Sequence, residues 1–491
     1  MCGIAGYLAP GGARQDFIAR MTDTLVHRGP DDAGEWADEE AGVGLGHRRL
    51  SILDLSAAGH QPMVSASGRY VLTFNGEIYN HQALRARLEG NAQAPSWRGQ
   101  ADTETLLAAI EAWGVEKALT ASIGMFAFAV WDRERRSLTL ARDRLGEKPL
   151  YYGWQGRTFL FGSELPALKA HPEFRGEIDR DALTLLVRYG AIHAPHSIYR
   201  GISKLAPGTM LTVSGSDPDA VPLTWWSLSS TVENGLARPF TGTADEAVDT
   251  LEETLGAAVE RQCLSDVPLG AFLSGGVDSS TVTALMQARS TAPVRTFSIG
   301  FEEQGFDESA HAAAVARHLG TDHTEMIVTP NDALALIPEL PQIYSEPFAD
   351  SSQLPTALLS RLTREHVTVA LSGDGGDELF GGYNRHVLAD RVWRRAKNVP
   401  RPLRLSLARL IGLLPPDRWT QLLGGLQRVL PAGLAQQGIG EKLHKAARVM
   451  GADSIDQLYA SLVSQWPATT PLVRGGQTPK GVRHEWHLLK R

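Results

Sequence analysis

The sequence is poor in cysteine. Of 491 residues only Cys2 and Cys263 are cysteine, which excludes a disulfide scaffold and a zinc site built from cysteines. It has no excess of positive charge either: 48 Lys and Arg stand against 55 Asp and Glu, a net charge of −7. A general nucleic-acid binder needs a basic surface to meet phosphates, so no nucleic-acid partner is expected. No apolar run approaches the about 18 residues of a membrane span. The longest, Ile123 to Trp131, falls far short, so no membrane association is expected. No charged segment followed by an apolar stretch opens the chain, so no export signal is expected and a cytoplasmic location is.

What is present is a globular composition, 43% hydrophobic and 21% charged, long enough for about two to four domains. Short apolar or alternating runs recur in the first 220 residues: Val71 to Phe74, Phe126 to Trp131, Ser137 to Ala141 and Phe159 to Phe161. Gly, Asp and Pro clusters separate them, the pattern of layered sheets. Two helical patterns interrupt, at Gln82 to Leu88 and Thr103 to Trp113. Residues 227–242, rich in Ser, Thr, Gly and Pro without periodicity, read as a linker. Thr243 to Glu246 is then a capping box, followed by an apolar stripe of Val248, Leu251, Leu255 and Val259. Strand-like runs at Gly270 to Leu273, Val294 to Ile299, Thr324 to Val328 and Val367 to Leu371 alternate with helical patterns, which implies a largely parallel sheet. From Tyr383 to Trp466 the pattern is helical. The arginine-rich stretch Arg391 to Arg409 reads as a solvated helix face.

Cys2 stands where removal of Met1 would make it the first residue. A nucleophile there carries its own base, because the α-amine titrates near 8 and can take or relay the thiol proton. Gly3 and Gly6 allow close backbone approach. Further on, His47-Arg48-Arg49 sets a guanidinium beside a strand, Phe74-Asn75-Gly76-Glu77 is read as a strand end, and Asp102-Thr103-Glu104 as a helix start with a carboxylate at the cap. An amide donor beside a backbone N–H can hold an oxyanion. One Arg and two acids suit the two ends of a free amino acid.

These motifs, with Arg142-Asp143-Arg144-Leu145-Gly146-Glu147-Lys148-Pro149-Leu150-Tyr151-Tyr152 and Phe161-Gly162-Ser163-Glu164, resemble the glutamine amidotransferase domain of the asparagine synthetase family. The resemblance implies a four-layer αββα fold of the N-terminal-nucleophile type that hydrolyses glutamine. It implies Cys2 as nucleophile, with Asn75 and Gly76 as the oxyanion hole. Arg49, Leu50, Ser51, Ile52, Leu53, Asn75, Gly76, Glu77 and Asp102 are implied as the glutamine site.

In the second half, Leu273-Ser274-Gly275-Gly276-Val277-Asp278-Ser279-Ser280 follows a strand and opens a helix. Glycines let successive N–H groups converge on an anion, and a helix N-terminus adds its positive end. Leu371-Ser372-Gly373-Asp374-Gly375-Gly376-Asp377-Glu378 also follows a strand. Both loops would lie at carboxyl ends of parallel strands, where such sheets bind ligands. The loops resemble those of ATP pyrophosphatases, here a parallel-sheet domain with added helices. The resemblance implies ATP and Mg²⁺ as cofactors, with Phe272, Ser274, Gly275, Gly276, Asp278, Ser279, Ile299, Ser372 and Gly373 as the ATP site. Asp278 and Asp377 are implied as metal ligands and Asp374 as the acid of adenylate formation, where many relatives have Glu. Residues 302–309 and 345–352 are implied to complete the site.

The expected organisation is an amidotransferase domain at 2–215, a linker at 216–242, a synthetase domain at 243–475 and a divergent tail at 476–491. The expected substrates are glutamine, aspartate and ATP, and a homodimer is an assembly the resemblance leaves open. The tail lacks the Lys-Val-Asp-Arg segment of the family, so amide synthesis is expected to be weaker than glutamine hydrolysis. The alternatives are a relative that aminates another carboxylate in polysaccharide or natural-product assembly, or a truncated member that is a glutaminase only.

Overall fold

The apolar run that ends at Trp131 becomes a strand buried on both faces. Phe126, Phe128 and Val130 turn to one side and Ala127, Ala129 and Trp131 to the other. The alternation of a strand thus lets one run serve two apolar layers. The protein is described here from a computed structural model over residues 1–214, 219–301, 309–424, 439–466 and 470–479.

The first strands in chain order are β1 (Gly3–Leu8), β2 (Asp32–Asp38), β3 (Val43–Arg49), β4 (Met63–Val64), β5 (Tyr70–Ile78) and β6 (Gly124–Asp132). They are followed by β7 (Ser137–Arg142), β8 (Tyr151–Gln155), β9 (Thr158–Gly162), β10 (Ser203–Lys204), β11 (Thr209–Ser214) and β12 (Leu223–Thr224). They form two antiparallel six-stranded sheets, β10-β8-β9-β1-β3-β2 and β12-β11-β7-β6-β5-β4. Ile4, Leu8, Val43 and Leu45 of the first sheet pack on Val71, Ala129, Trp131 and Leu140 of the second. Helix Gln15–Asp23 covers the outside of the first sheet. Helices His81–Gly90 and Asp102–Trp113 cover the second through Leu84, Leu88, Leu106 and Ile110. These are the four αββα layers the resemblance implied. Gly6 is required at one close approach, since a Cβ there would meet the Phe161 ring and the Gly44 carbonyl.

Four further strands, β13 (Leu269–Phe272), β14 (Arg295–Phe301), β15 (Asp322–Val328) and β16 (Val369–Leu371), form a parallel sheet in the order β15-β14-β13-β16. The chain steps outward from β13 to β15, then returns to the other side of β13. β13 and β16 therefore flank the topological switch point, the position at which open parallel sheets take ligands.

The chain divides into two compact units. One holds Met1–Asp179 and His193–Gly373, and so both sandwich and parallel sheet; the other holds Arg180–Ile192 and the residues from Asp374 onward. Within the second unit the backbone of helix Arg180–Tyr189 is tied to the chain's late segments. The Arg188 carbonyl accepts from the Gln465 N–H at 2.8 Å, and its guanidinium donates to the Thr470 carbonyl at 3.2 Å.

Three local expectations need correction. The capping box at Thr243 is formed, but Val248 and Leu251 of the following stripe are exposed and only Leu255 and Val259 reach the core. The stretch read as an aperiodic linker contains a helix, Leu228–Ala237, with no buried residue. It is held by a Ser227 cap rather than by an apolar face. Of the arginine-rich stretch, Arg391, Arg394 and Arg409 are solvated as expected, whereas Arg404 is buried and donates to the Met450 and Ala452 carbonyls at 2.9 and 2.8 Å. A guanidinium has five donors in a fork, so it can close a helix end from inside a core. The expectations for 302–308 and for the end of the tail, 480–491, lie outside the described residues.

Candidate active sites

On β5, Val71, Thr73, Asn75 and Glu77 share the face turned toward the other sheet, by the period of a strand. The row changes from apolar to polar as it leaves the sandwich core, and there a cavity of about 50 Å³ opens. Cys2, at the start of β1 in the opposite sheet, lines it with Asn75, Gly76, Glu77 and Asp102. Two bonds pin the sheets together beside it. Thr73 Oγ1 donates to the Gly46 carbonyl at 3.0 Å, and His47 Nε2 meets the Phe74 carbonyl at 3.0 Å. Burial pushes His47 down to about 3, so its ring is neutral at ordinary pH.

The Asn-Gly pair does not end the strand. Asn75 and Gly76 lie inside β5, opposite Ala127 and Phe126. The direction of the Gly76 N–H comes from register instead. Phe126 turns its N–H and C=O to the β7 side, donating to Asp143 Oδ2 and accepting from the Asp143 N–H. The Gly76–Phe126 pair is then a non-hydrogen-bonded one, and Gly76 points its N–H away from β6. The N–H groups of Phe74 and Ile78, on the same edge, go to Gln61 Oε1 at 2.7 Å and Asp102 Oδ2 at 2.8 Å. Gly76 lies between them, facing the cavity. A Cβ at Gly76 would collide with the Met125 carbonyl, so glycine is required. Beside it Asn75 is fully buried, and neither Nδ2 nor Oδ1 has a hydrogen-bond partner. A buried amide left unpaired costs about 1–3 kcal/mol, and it faces a place for a ligand.

The Cys2 thiol lies against residue 50, with the Leu50 N–H 3.4 Å from Sγ and the carbonyl at 3.6 Å. Burial pushes the thiol up, partly opposed by the Leu50 N–H. Met1 lines the same cavity, and burial lowers its α-amine to about 5. Arg49, buried, gives its guanidinium to the carbonyls of Ser56 at 2.9 Å, Leu53 at 3.4 Å and Asp54. It supports the turn 50–56 as well as lining the cavity. Ile52 and Leu53 line the cavity, while the Ser51 N–H is held by Asp31 at 2.8 Å.

Asp102 is not a cap: Ala101 holds that position, and Asp102 is the first helical residue. Its carboxylate reaches across to the Ile78 N–H, and burial pushes it up against that bond. Glu77 is buried with Oε1 unpartnered, and burial together with the nearby Asp102 charge lifts it to about 7.

Lys148 stands within the Arg142-to-Tyr152 motif, with no role of its own implied there. It is buried, lines the cavity, and donates to Met1 Sδ at 2.9 Å. Its loop is caged by Asp143, whose two oxygens accept the N–H groups of Leu145, Gly146, Glu147 and Lys148. The signal in sequence was an acid followed at short range by Gly.

In the parallel sheet, β13 ends at Phe272 and the loop Ser274–Gly276 leads into helix Val277–Arg289. Gly275 has φ +77°, and a Cβ there would also press on the backbone of helix Ser309–Leu319. Ser274 and Ser279 bond each other at 3.0 Å, and Ser280 Oγ is buried without a partner. The loop after β16 closes on this one: a Cβ on Gly373 would lie 2.6 Å from the Ser279 nitrogen. Ile299, on β14, is half-buried in the same sheet. The structure thus brings Phe272, Ser274–Ser279, Ser372 and Gly373 to the carboxyl ends of β13 and β16. Asp374 and Asp377 belong to the second unit, where Gly375, at φ +94°, opens the short helix Gly376–Phe380 that carries Asp377. Among the described residues no three His, Cys, Asp or Glu side chains are grouped as a metal site. No helix among them is long and apolar enough to cross a membrane.

The family described as "Glutamine amidotransferase domain" matches residues 1–226, and that described as "Asparagine synthase" matches residues 250–488. The putative asparagine synthetase [glutamine-hydrolyzing] 2 of Methanocaldococcus jannaschii is 35% identical over 412 residues, 80% of this chain and 77% of that protein. The chain belongs to the glutamine-hydrolysing asparagine synthetase family. Asparagine synthetase [glutamine-hydrolyzing] 1 of Bacillus subtilis is 34% identical over 423 residues, 84% of this chain and 64% of that protein. A putative asparagine synthetase of Mycobacterium bovis is 36% identical over 436 residues, 84% and 65%. The chain spans just under two thirds of these last two relatives. Within the family, the Cys2 cavity falls in the amidotransferase match and the Ser274 loop in the synthase match.

Proposed function

We propose that the protein is a glutamine-dependent asparagine synthetase. The observation that carries this is the presence, in one compact unit, of a cavity lined by both a thiol and an unpaired amide and of a glycine-rich loop at a sheet's switch point. Removal of Met1 would give Cys2 the free amine that serves as base, and would uncover Lys148. The Cys2 sulfur attacks the side-chain amide carbon of glutamine. Asn75 Nδ2 and the Gly76 N–H take the oxyanion; the C–N bond breaks, ammonia leaves with the thiol proton, and water then cleaves the thioester to glutamate. Glu77 suits the substrate ammonium, with Arg49 and the 50–53 turn holding the carboxylate end.

At the second site the N–H groups of the Ser274–Ser279 loop and the start of helix Val277–Arg289 suit the phosphates of ATP. The glycine cradle and the Ser274 and Ser279 hydroxyls beside it fit an oxygen-rich anion. Asp278 offers hard oxygen for Mg²⁺, which would neutralise phosphate charge. The aspartate side-chain carboxylate attacks the α-phosphorus, pyrophosphate leaves, and ammonia then displaces AMP to give asparagine.

Exchange of labelled pyrophosphate into ATP tests this reading. Exchange is expected only with aspartate present. Asp278→Ala is expected to reduce it at least tenfold while glutamate release from glutamine stays within twofold. Exchange with a different carboxylate, and none with aspartate, would overturn the choice of acceptor.

The glutamine site has its own pH dependence. Glu77 attracts an ammonium only as a carboxylate, and it ionises around 7. The KM for glutamine is expected to fall about tenfold between pH 6 and 8, and to become flat in Glu77→Gln. Measuring KM across that range checks it; an unchanged slope in the variant would remove Glu77 from ammonium binding.

A further inference from the structure

We propose that Asp266, from the half that carries the nucleotide loop, is a positioning residue for the glutamine pocket. The proposal rests on the reading of the Cys2 cavity as that pocket. Asp266 lies between helix Ala244–Gln262 and β13, the strand that runs into the Ser274 loop. Its N–H donates to the Ile52 carbonyl at 2.9 Å, and its Oδ2 accepts the Asp54 N–H at 2.8 Å. The two bonds hold the backbone on either side of Leu53, a residue that lines the cavity.

This turn needs outside support. Asp54 has φ +57°, in the left-handed region that a non-glycine residue disfavours. Inside the turn the Ser56 N–H bonds Asp54 Oδ1 at 3.0 Å, and three groups from outside the turn hold it there. Arg49 bonds the Leu53, Asp54 and Ser56 carbonyls from the cavity side. The Gln100 N–H bonds Asp54 Oδ2 at 2.6 Å, two residues before Asp102. Asp266 supplies the third hold, and it alone comes from outside the amidotransferase sandwich. With it gone, the Asp54 N–H loses its partner and the turn that presents Leu53 is free to relax. Glutamine then binds less well, while the thiol, Asn75 and Gly76 stay in place. The glutamine pocket of this chain is therefore complete only with a residue of the synthase half.

Asp266→Ala removes the side-chain bond and keeps the main-chain one; Asp266→Asn keeps an acceptor. In the processed full chain, Asp266→Ala is expected to raise the KM for glutamine about five- to tenfold, the factor of one ordinary intramolecular hydrogen bond, with kcat within twofold. Asp266→Asn is expected within twofold of wild type. Calorimetric binding of glutamine to Cys2→Ala and to Cys2→Ala/Asp266→Ala should show the same loss without turnover. Amide exchange at residues 52–56 should speed up in Asp266→Ala. An unchanged KM, an equal loss in Asp266→Asn, or a fall in kcat at constant KM would overturn the proposal. Faster exchange with no glutamine binding to the Cys2→Ala chain would instead overturn the assignment of the cavity, and the proposed role with it.

Discussion

Replacing Cys2 with alanine is expected to lower glutamate release from glutamine by at least about 10⁴-fold, while asparagine formation from free ammonia persists. Losing a nucleophile differs in kind from losing a stabilising contact, because the covalent route closes and only the binding and polarising groups remain. Those groups are independent of the thiol: Asn75 and Gly76 are set by β5 and its register with β6. The Ser274 loop depends on β13 and β16, in another sheet. Glutamate and asparagine, measured separately with glutamine or ammonium as nitrogen donor, check this. Residual glutaminase within about 100-fold of wild type would remove Cys2 from the nucleophile's role. Active protein that retains Met1 would remove the α-amine of Cys2 from the base's role.

Asn75→Ala is expected to lower kcat for glutamine hydrolysis by about 10²–10³, with little change in KM. In the proposed mechanism the amide nitrogen gains its partner only when negative charge develops on the substrate oxygen, so its loss would be felt in the transition state and not in binding. Stability should move the other way. In the free site both polar atoms of Asn75 are buried and unpaired, at a standing cost of about 1–3 kcal/mol. Alanine removes that cost and leaves a small gap, so the melting temperature of Asn75→Ala is expected to hold or rise slightly. A KM increase with constant kcat would assign Asn75 to substrate binding. A large fall in melting temperature would mean that the side chain is structural.

Much of this was legible where the chemistry is local. The Ser274 loop reads as strand, glycine turn and helix start, and it folds that way because each step depends on neighbours in sequence. The capping box at Thr243 was equally visible. Roles set by distant partners were not. Asn75-Gly76 has the look of a strand end and lies within the strand, because β6 supplies its pairing from about 50 residues away. Asp102 looks like a cap and serves β5 instead. Lys148 carries no local mark of a pocket residue and Asp266 none of a pocket support; one depends on the Asp143 cage and the other on a contact between two loops far apart in sequence. The stripe from Val248 has the period of a buried face but is only half covered, since a helix longer than the sheet beneath it leaves its first turns in water.

The most direct test of the link between the two chemistries follows the nitrogen itself. The full chain is given glutamine labelled with ¹⁵N in its side-chain amide, together with aspartate, ATP, Mg²⁺ and an excess of unlabelled ammonium, and the asparagine formed is analysed by mass. If ammonia released at Cys2 is used at the Ser274 loop, the asparagine amide carries ¹⁵N well above its share of the free ammonium pool. In Cys2→Ala the asparagine formed is unlabelled. Wild-type asparagine with no more label than the pool, or labelled glutamine hydrolysed with no aspartate amidated, would contradict it.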